Sequence, residues 1–237
     1  MKLILVIGAK GFVGSEIVKQ INLSSNLEVI EAVRGDDLEK KIKLSDYVIH
    51  TANSPSRYKA QLNPENDFAE SVEKTNNIYS LCEKYSKRLT LISSISARAQ
   101  LDTVYGMNRR SCEYIIGNKS IVIRLGYMFS SYNLYGALRS IYENKDVYLD
   151  ESSSYSFSDV SWNAQKIIEI TENQDSGIYE LGARGDITLR QISNILGSYS
   201  KFKGNTKDVQ IANYIGNDNP AIRDFRDYLE TIKRNKK

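Results

Sequence analysis

A chain of 237 residues, 41% hydrophobic and 26% charged, can bury one sizeable core and is too well mixed for disorder to be its main state. Its formal charge of +3 is too small to argue for nucleic acid, and the basic cluster from Lys233 to Lys237 reads as a solvated tail. One histidine, His50, excludes any histidine-based triad or multi-histidine metal site built without it; Cys82 and Cys112 lack metal-ligand spacing, so no metal and two reduced core thiols are expected.

The run Leu3-Ile4-Leu5-Val6-Ile7 is short, continuous and apolar, as in a buried strand of a parallel sheet. It meets Gly8, Gly11 and Gly14, and then Phe12, Val13, Ile17, Val18 and Ile21 at helical spacing. Each glycine costs backbone entropy, and a phosphate-holding turn explains all three. Gly8 permits the tight turn, Gly11 lets backbone amides approach a pyrophosphate, and Gly14 lets the helix pack closely on the sheet. The helix N-terminus would hold the phosphates. The spacing is G-x-x-G-x-x-G rather than the commoner G-x-G-x-x-G, and a tight turn without a ligand is the alternative. The run stops at Gly8 with no small-residue cleavage site after it, so no signal peptide is expected. No stretch approaches the ~20 apolar residues of a membrane span, and a cytoplasmic protein without membrane partners is expected.

Leu27 to Val33 predicts a second strand, ending at Arg34-Gly35. At this place an acidic residue binds the ribose 2′-hydroxyl of a dinucleotide, while arginine accommodates a 2′-phosphate. Arg34, with Lys10 in the glycine loop, favours NADP, with NAD left open; the alternative is that both are solvated surface cations. Leu38 to Leu44 is a short helix or turn, and Asp46 to Thr51 the next strand, in which His50 has a structural role. Asn63-Pro64 starts a helix, proline being tolerated at its first position. Leu89 to Ile92 is a strand running into Ser93-Ser94-Ile95-Ser96, a helix spans about Tyr105 to Ile116, and Ser120 to Leu125 is a strand. Such alternation predicts right-handed crossovers and a doubly wound parallel sheet, an α/β fold of Rossmann type. Gly8, Arg34, Ala52, Ser94 and Gly126 then converge on the carboxyl edge, where these sheets bind ligands.

From Tyr127 to Ser156 the pattern loosens, with one helix near Leu134 to Glu143. Val160 to Thr171 reads as a helix, Ile178 to Leu181 as a strand, and Thr188 with Gln191 as the capping box of a helix through Leu196. Lys201 to Asn219 reads as a polar loop, and Ile222, Phe225, Leu229 and Ile232 as a last amphipathic helix. The expected organisation is a single domain in which residues 1–125 form the dinucleotide-binding core. Residues 126–237 form a small, mainly substrate-binding portion with late core elements.

Tyr105 and Arg109 stand four apart at the start of a helix and so share a face, with Ser94 eleven residues upstream of Tyr105 at a strand end. At this point the chain resembles the extended short-chain dehydrogenase/reductase family, the NAD-dependent epimerase/dehydratase group that mostly handles nucleotide sugars. Gly8-Ala9-Lys10-Gly11-Phe12-Val13-Gly14 resembles its phosphate loop, and His50-Thr51-Ala52 its H-x-A segment. Ser93-Ser94 resembles its paired serine position, and Tyr105-Gly106-Met107-Asn108-Arg109 with Glu113 its Y-G-x-S-K...E helix. Arg124-Leu125-Gly126, Phe157-Ser158-Asp159-Val160 with Ala164, and Tyr179-Glu180-Leu181-Gly182 resemble later segments. The resemblance covers nearly the whole chain.

The resemblance implies Tyr105 as acid/base, Ser94 as its orienting partner, with Ser96 the alternative, and Arg109 as the cation that replaces the family's lysine. An ordinary tyrosine is a poor base at pH 7, and a nearby cation favours its charged form. Cofactor contacts are expected from Gly8, Lys10, Gly11, Phe12, Val13, Gly14, Arg34, Thr51, Ala52, Asn53, Tyr105 and Arg109. Departures are Arg109 itself, Ser71 where the family has a structural asparagine, Trp162 for a late aspartate, Glu180 for a late asparagine, and an abbreviated third strand. The implied function is NADP-dependent reduction of a nucleotide-linked keto-sugar. Ile95-Ser96 lacks the acidic pair of the dehydratases. A nucleotide-sugar epimerase, and a non-catalytic NADP-binding sensor or structural protein, stay open, as do the sugar, the nucleotide and a homodimer.

Overall fold

The computed structural model describes residues 1–54, 56–130, 134–213 and 220–235. In chain order, β1 (Lys2–Ile7), α1 (Phe12–Asn22), β2 (Leu27–Ala32), α2 (Leu38–Leu44) and β3 (Tyr47–His50) come first. After them, α3 (Arg57–Leu62), α4 (Pro64–Phe68), a π turn (Ala69–Glu73) and α5 (Lys74–Lys84) lead to β4 (Arg88–Ser94). Next stand α6 (Ser96–Ala99), α7 (Val104–Ile116), β5 (Ile121–Leu125), β6 (Met128–Phe129), α8 (Gly136–Tyr142), β7 (Ser154–Tyr155) and β8 (Ser158–Asp159). The chain continues with α9 (Val160–Asn173), β9 (Gly177–Leu181), β10 (Ile187–Thr188), α10 (Leu189–Leu196), β11 (Val209–Gln210) and α11 (Ile222–Asn235).

The chain folds as two compact units, residues 1–124 with 161–179 and residues 125–160 with 180–237. The first is built on a sheet of order β2-β1-β3-β4-β5-β9, with β2, β1, β3 and β4 paired in parallel. The chain leaves β2 through α2 and crosses directly to β3 on the far side of β1, so no strand stands beyond β2 among the described residues and β2 is the edge. Strand order therefore reverses between β1 and β3, the switch point at which such sheets hold ligands. Ile4 to Ile7 and Tyr47 to His50 are buried along their lengths, as parallel strands covered on both faces must be. On α1 the buried residues are Gly14, Ile17, Val18 and Ile21, the stripe that the helical spacing requires.

In the second unit β7 lies between β10 and β11, and β6 pairs in parallel with β8. Phe129, Leu138, Tyr155, Phe157, Leu189, Phe225 and Leu229 form its core, with the Phe157 and Phe225 rings stacked at 4.0 Å. The capping box of Thr188 and Gln191 is present in both directions. Two features of the polar stretches differ from expectation. Lys201 to Asn219 contains β11, which pairs with β7 through Ser154 and Tyr155, while residues 214–219 lie outside the described ones. Between Thr51 and Asn63 stands α3, capped by Ser56, whose hydroxyl accepts the Lys59 amide.

Candidate active site

At the β1/β3 switch point the turn is as tight as backbone allows. Gly8 has φ +90°, and a Cβ on it would lie 2.6 Å from Thr51 Oγ1 and 2.9 Å from the Ala52 nitrogen. A Cβ on Gly14 would lie 2.2 Å from the Gly8 carbonyl oxygen, so α1 packs backbone to backbone on the turn. Thr51 secures the junction from the other side, its hydroxyl donating to the Ile7 carbonyl at 2.9 Å. Gly11 is different. It caps α1 in an extended conformation open to any residue, and its nearest neighbour to an added Cβ is the Gly8 oxygen at 3.2 Å. Its lack of a side chain is thus demanded less by the protein's own packing than at Gly8 or Gly14. No side chain caps α1 and no carboxylate stands in its first turn, which leaves the positive end of the helix dipole uncompensated.

Both cations read as phosphate ligands are held by carboxylates. Lys10 Nζ lies 2.7 Å from Glu31 Oε2, near the end of β2. Arg34 Nη2 lies 2.9 Å from Glu70 Oε2 on the π turn, which Lys74 also contacts. The position of Glu31 within an apolar strand end could have marked it; Glu70, thirty-six residues from Arg34, gave no local signal.

Tyr105 is the second residue of α7, where Thr103 caps the helix by accepting the Gly106 amide. Four residues on, the Arg109 guanidinium carbon lies 4.7 Å from the Tyr105 ring centroid. Arg109 is 2% exposed; its Nη2 donates to the Ser54 carbonyl at 2.7 Å and to Ser71 Oγ at 3.1 Å. Its Nη1 is buried with no hydrogen-bond partner. Among the described residues no carboxylate pairs with it: Glu113 is instead engaged by Arg124 at 2.6 Å, Arg110 at 3.1 Å and the Ser93 hydroxyl at 2.7 Å. That buried cluster ties α7 to β4 and β5, and so fixes the helix that carries Tyr105.

Ser94 ends β4 half-buried, and its Oγ accepts the Ser96 amide at 3.2 Å without touching Tyr105. Ser96 is fully buried and its hydroxyl donates to Gln100 Oε1 at 2.6 Å, which removes it from the reach of a ligand. Asn53 donates to the Ile92 carbonyl at 3.1 Å while its Oδ1 is buried without a partner. His50 is fully buried; its Nδ1 accepts the Ala52 amide, so Nε2 carries the proton and faces Thr75 Oγ1 at 3.2 Å. Burial, with the Arg109 and Lys74 charges adding to it, pushes its pKa down to about 3. Cys82 and Cys112 are free and buried, and burial raises both thiols, Cys82 to about 12. Among the described residues no cluster of three or more His, Cys, Asp or Glu could hold a metal, and no helix is long and apolar enough to cross a membrane.

Residues 4–120, from β1 to the start of β5, match the model of the NAD dependent epimerase/dehydratase family. Over this segment the chain carries that family's sequence pattern. No curated protein matches the sequence. Solved structures share the family's fold at low identity. A UDP-N-acetylglucosamine 4-epimerase from Methanobrevibacter ruminantium M1, in complex with UDP-N-acetylmuramic acid, is 20% identical with a TM-score of 0.77, covering 98% of this chain and 97% of its own. A UDP-glucose 4-epimerase from Thermotoga maritima with UDP-glucose is 16% identical, TM-score 0.79, covering 98% and 97%. A dTDP-4-dehydrorhamnose reductase from Bacillus anthracis str. Ames in complex with NADP is 11% identical, TM-score 0.78, covering 100% of both.

The residues present fit the family's nicotinamide dinucleotide. An uncapped helix N-terminus behind Gly11 suits a pyrophosphate. A buried guanidinium with an orphan Nη1 and no carboxylate is costly unless a ligand group completes it.

Proposed function

We propose that the chain is an NADP-dependent reductase of a nucleotide-linked keto-sugar in which Tyr105 donates the proton. The observation that carries this reading is the buried guanidinium of Arg109 lying against the Tyr105 ring with one nitrogen unpartnered. Proton donation leaves negative charge on the phenol oxygen, and a fixed cation beneath the ring stabilises it in a site of low dielectric. NADPH, when bound, supplies the hydride. Gly11 and the first turn of α1 would hold its pyrophosphate, Lys10 and Arg34 its 2′-phosphate, and Arg109 the nicotinamide ribose. Ser94, with a lone pair on the Ser96 amide, would orient the substrate oxygen through its hydroxyl proton.

A second reading rests on Glu31. A carboxylate near the end of β2 is what a ribose 2′-hydroxyl uses, and here it already holds Lys10. That arrangement supports NAD and, with it, an epimerase. Calorimetry with NADPH and NADH, followed by incubation with a panel of keto-sugar nucleotides, separates the readings. Stoichiometric NADPH oxidation supports the reductase, epimer interconversion without net oxidation supports the second reading, and cofactor binding without conversion of any substrate supports a non-catalytic role.

A further inference from the structure

Between Ser94 and Tyr105 one residue, Gln100, is hydrogen-bonded in both directions. Its Oε1 accepts the Ser96 hydroxyl at 2.6 Å, and the Ser96 amide in turn donates to Ser94 Oγ at 3.2 Å. Its main-chain oxygen accepts the Thr103 amide at 3.1 Å and the Thr103 hydroxyl at 2.8 Å. That hydroxyl oxygen accepts the Gly106 amide at 3.0 Å and so caps α7 two residues before Tyr105. A Cβ on Gly106 would lie 2.0 Å from the Gln100 oxygen, so α6 and α7 meet backbone to backbone at this residue. One further bond comes from outside the segment. Arg57, the first residue of α3, donates from Nη1 to Gln100 Oε1 at 3.1 Å. Because α3 follows β3 and packs on α7, Arg57 ties the loop after β3 to the elbow between β4 and α7.

We propose that Gln100 is a positioning residue that sets Ser94 relative to Tyr105, and that Arg57 locks it from α3. The proposal rests on the reductase reading above, in which Ser94 orients the substrate oxygen and Tyr105 protonates it. The last torsion of a glutamine is broad and roughly two-fold, so its oxygen and nitrogen ends exchange places easily. A guanidinium donates but never accepts. Arg57 therefore bonds only the oxygen end of Gln100, and holds that end towards the buried Ser96 hydroxyl as well. A Ser96 fixed in this way keeps its amide on one lone pair of Ser94, which leaves the Ser94 proton for the substrate. The two ends of the link differ in kind. Towards Ser94 it runs through side chains and depends on which way the Gln100 amide faces. Towards Tyr105 it begins at the main-chain oxygen of Gln100 and does not depend on the side chain. Without Arg57 the amide is free to turn over and offer Nε2 to Ser96, so the Ser94 end loosens while the start of α7 stays in place.

Hydrogen exchange and kinetics on the full chain test this. In Arg57→Met the Ser96 amide is expected to exchange about tenfold faster than in the wild type, while the Gly106 amide keeps its rate. With a keto-sugar nucleotide that the wild type reduces, Arg57→Met should lower kcat by about tenfold through misalignment of Ser94. NADPH affinity by calorimetry should not change, because neither Arg57 nor Gln100 is assigned to the cofactor. Arg57→Lys, which keeps a donor for Oε1, should recover most of the kcat loss. In a Ser94→Ala background Arg57→Met should cost nothing further, since the group it serves is gone. An unchanged Ser96 exchange rate in Arg57→Met, or a kcat loss that persists in the Ser94→Ala background, overturns the proposal while leaving the reductase reading intact. Absence of NADPH oxidation by the wild-type chain with every member of the keto-sugar panel overturns the reductase reading and this proposal together.

Discussion

Acidification to pH 5 should destabilise this chain through His50 alone by about 2 kcal/mol. The ring is fully buried, and its pKa falls from the ordinary 6.5 to about 3. Between those values the unfolded chain binds a proton that the folded chain refuses, so stability is complete above 6.5 and is lost as pH falls towards 3. At pH 5 the deficit is about 1.5 pH units at roughly 1.4 kcal/mol each, a sizeable part of a typical 5–15 kcal/mol. The geometry gives the same direction. Nδ1 already accepts the Ala52 amide, so a proton there would set two donors against each other beside the Gly8 turn. Because the chain has one histidine, its imidazole resonances can be followed by NMR without assignment. The folded protein should show no titration between pH 8 and 5, and urea-derived stabilities of the wild type should fall over pH 7 to 5 more steeply than those of His50→Gln. A ring that titrates near 6.5 in the folded state, or parallel slopes in the two proteins, would refute the assignment.

The loop glycines should separate by role: Gly14→Ala drives a Cβ to 2.2 Å from a backbone oxygen and should cost about 3 kcal/mol or more in chemical denaturation. Gly11→Ala should cost less stability than Gly14→Ala and lose cofactor affinity in calorimetry, since its conformation suits any residue and an added methyl meets the Gly8 oxygen at 3.2 Å rather than 2.2 Å. Tyr105→Phe should lower kcat by ~10²–10⁴-fold while sparing NADPH affinity; wild-type turnover on a confirmed substrate would place the proton donor elsewhere. Arg34→Ala should reduce any NADPH preference over NADH by about tenfold, read as the ratio of the two dissociation constants. A ratio unchanged by that substitution would return Arg34 to the solvated surface.

Elements whose burial is dictated by local periodicity were legible in the sequence almost residue for residue. β1, α1 and α7 follow from apolar runs or stripes bounded by glycine or a capping hydroxyl, and Leu38 to Leu44, read as a helix or a turn, is the helix α2 behind an Asp37 cap. What escaped depends on distant partners. The π turn has no pattern of its own, because an apolar stripe through Phe68, Val72 and Ile78 reads as one continuous helix. β11 is two residues long and exists only because β7 offers it an edge. At the candidate site, the tight turn at Gly8 and Gly14 and the placing of Tyr105 and Arg109 on one helix face were readable, since a strand end and a helix start determine them. The countercharges were not: Lys10 with Glu31 and Arg34 with Glu70 are pairs made by the fold, and each changes what its cation is free to do.

Distant partners also decide what arginine in place of the family's lysine means for activity. Lysine would present one compact ammonium, whereas arginine is longer, planar and always charged, so it needs depth and a flat surface to lie against. This chain provides both. The Tyr105 ring supplies the flat surface, and depth comes from the small Ser71 and the Ser54 carbonyl, which accept the far nitrogen. The resemblance puts Ser71 at the family's asparagine position, and on the proposed reading a larger cation is then matched by a smaller neighbour. A decayed site would be expected to neutralise its buried charge with a carboxylate or expel it to solvent, because an unpaired buried cation is strongly destabilising. Arg109 does neither, and Nη1 remains buried and unpartnered. That unfavourable group, with its supports in place, is what the proposed cofactor site would use, and the expected result for Arg109→Lys follows from that reading. The shorter side chain cannot reach Ser71 and Ser54 while also lying under the ring, so restoring the family's residue alone should lower NADPH affinity. Arg109→Lys combined with Ser71→Asn should recover it. Equal affinities in the single and double variants would show that the two positions are not a matched pair.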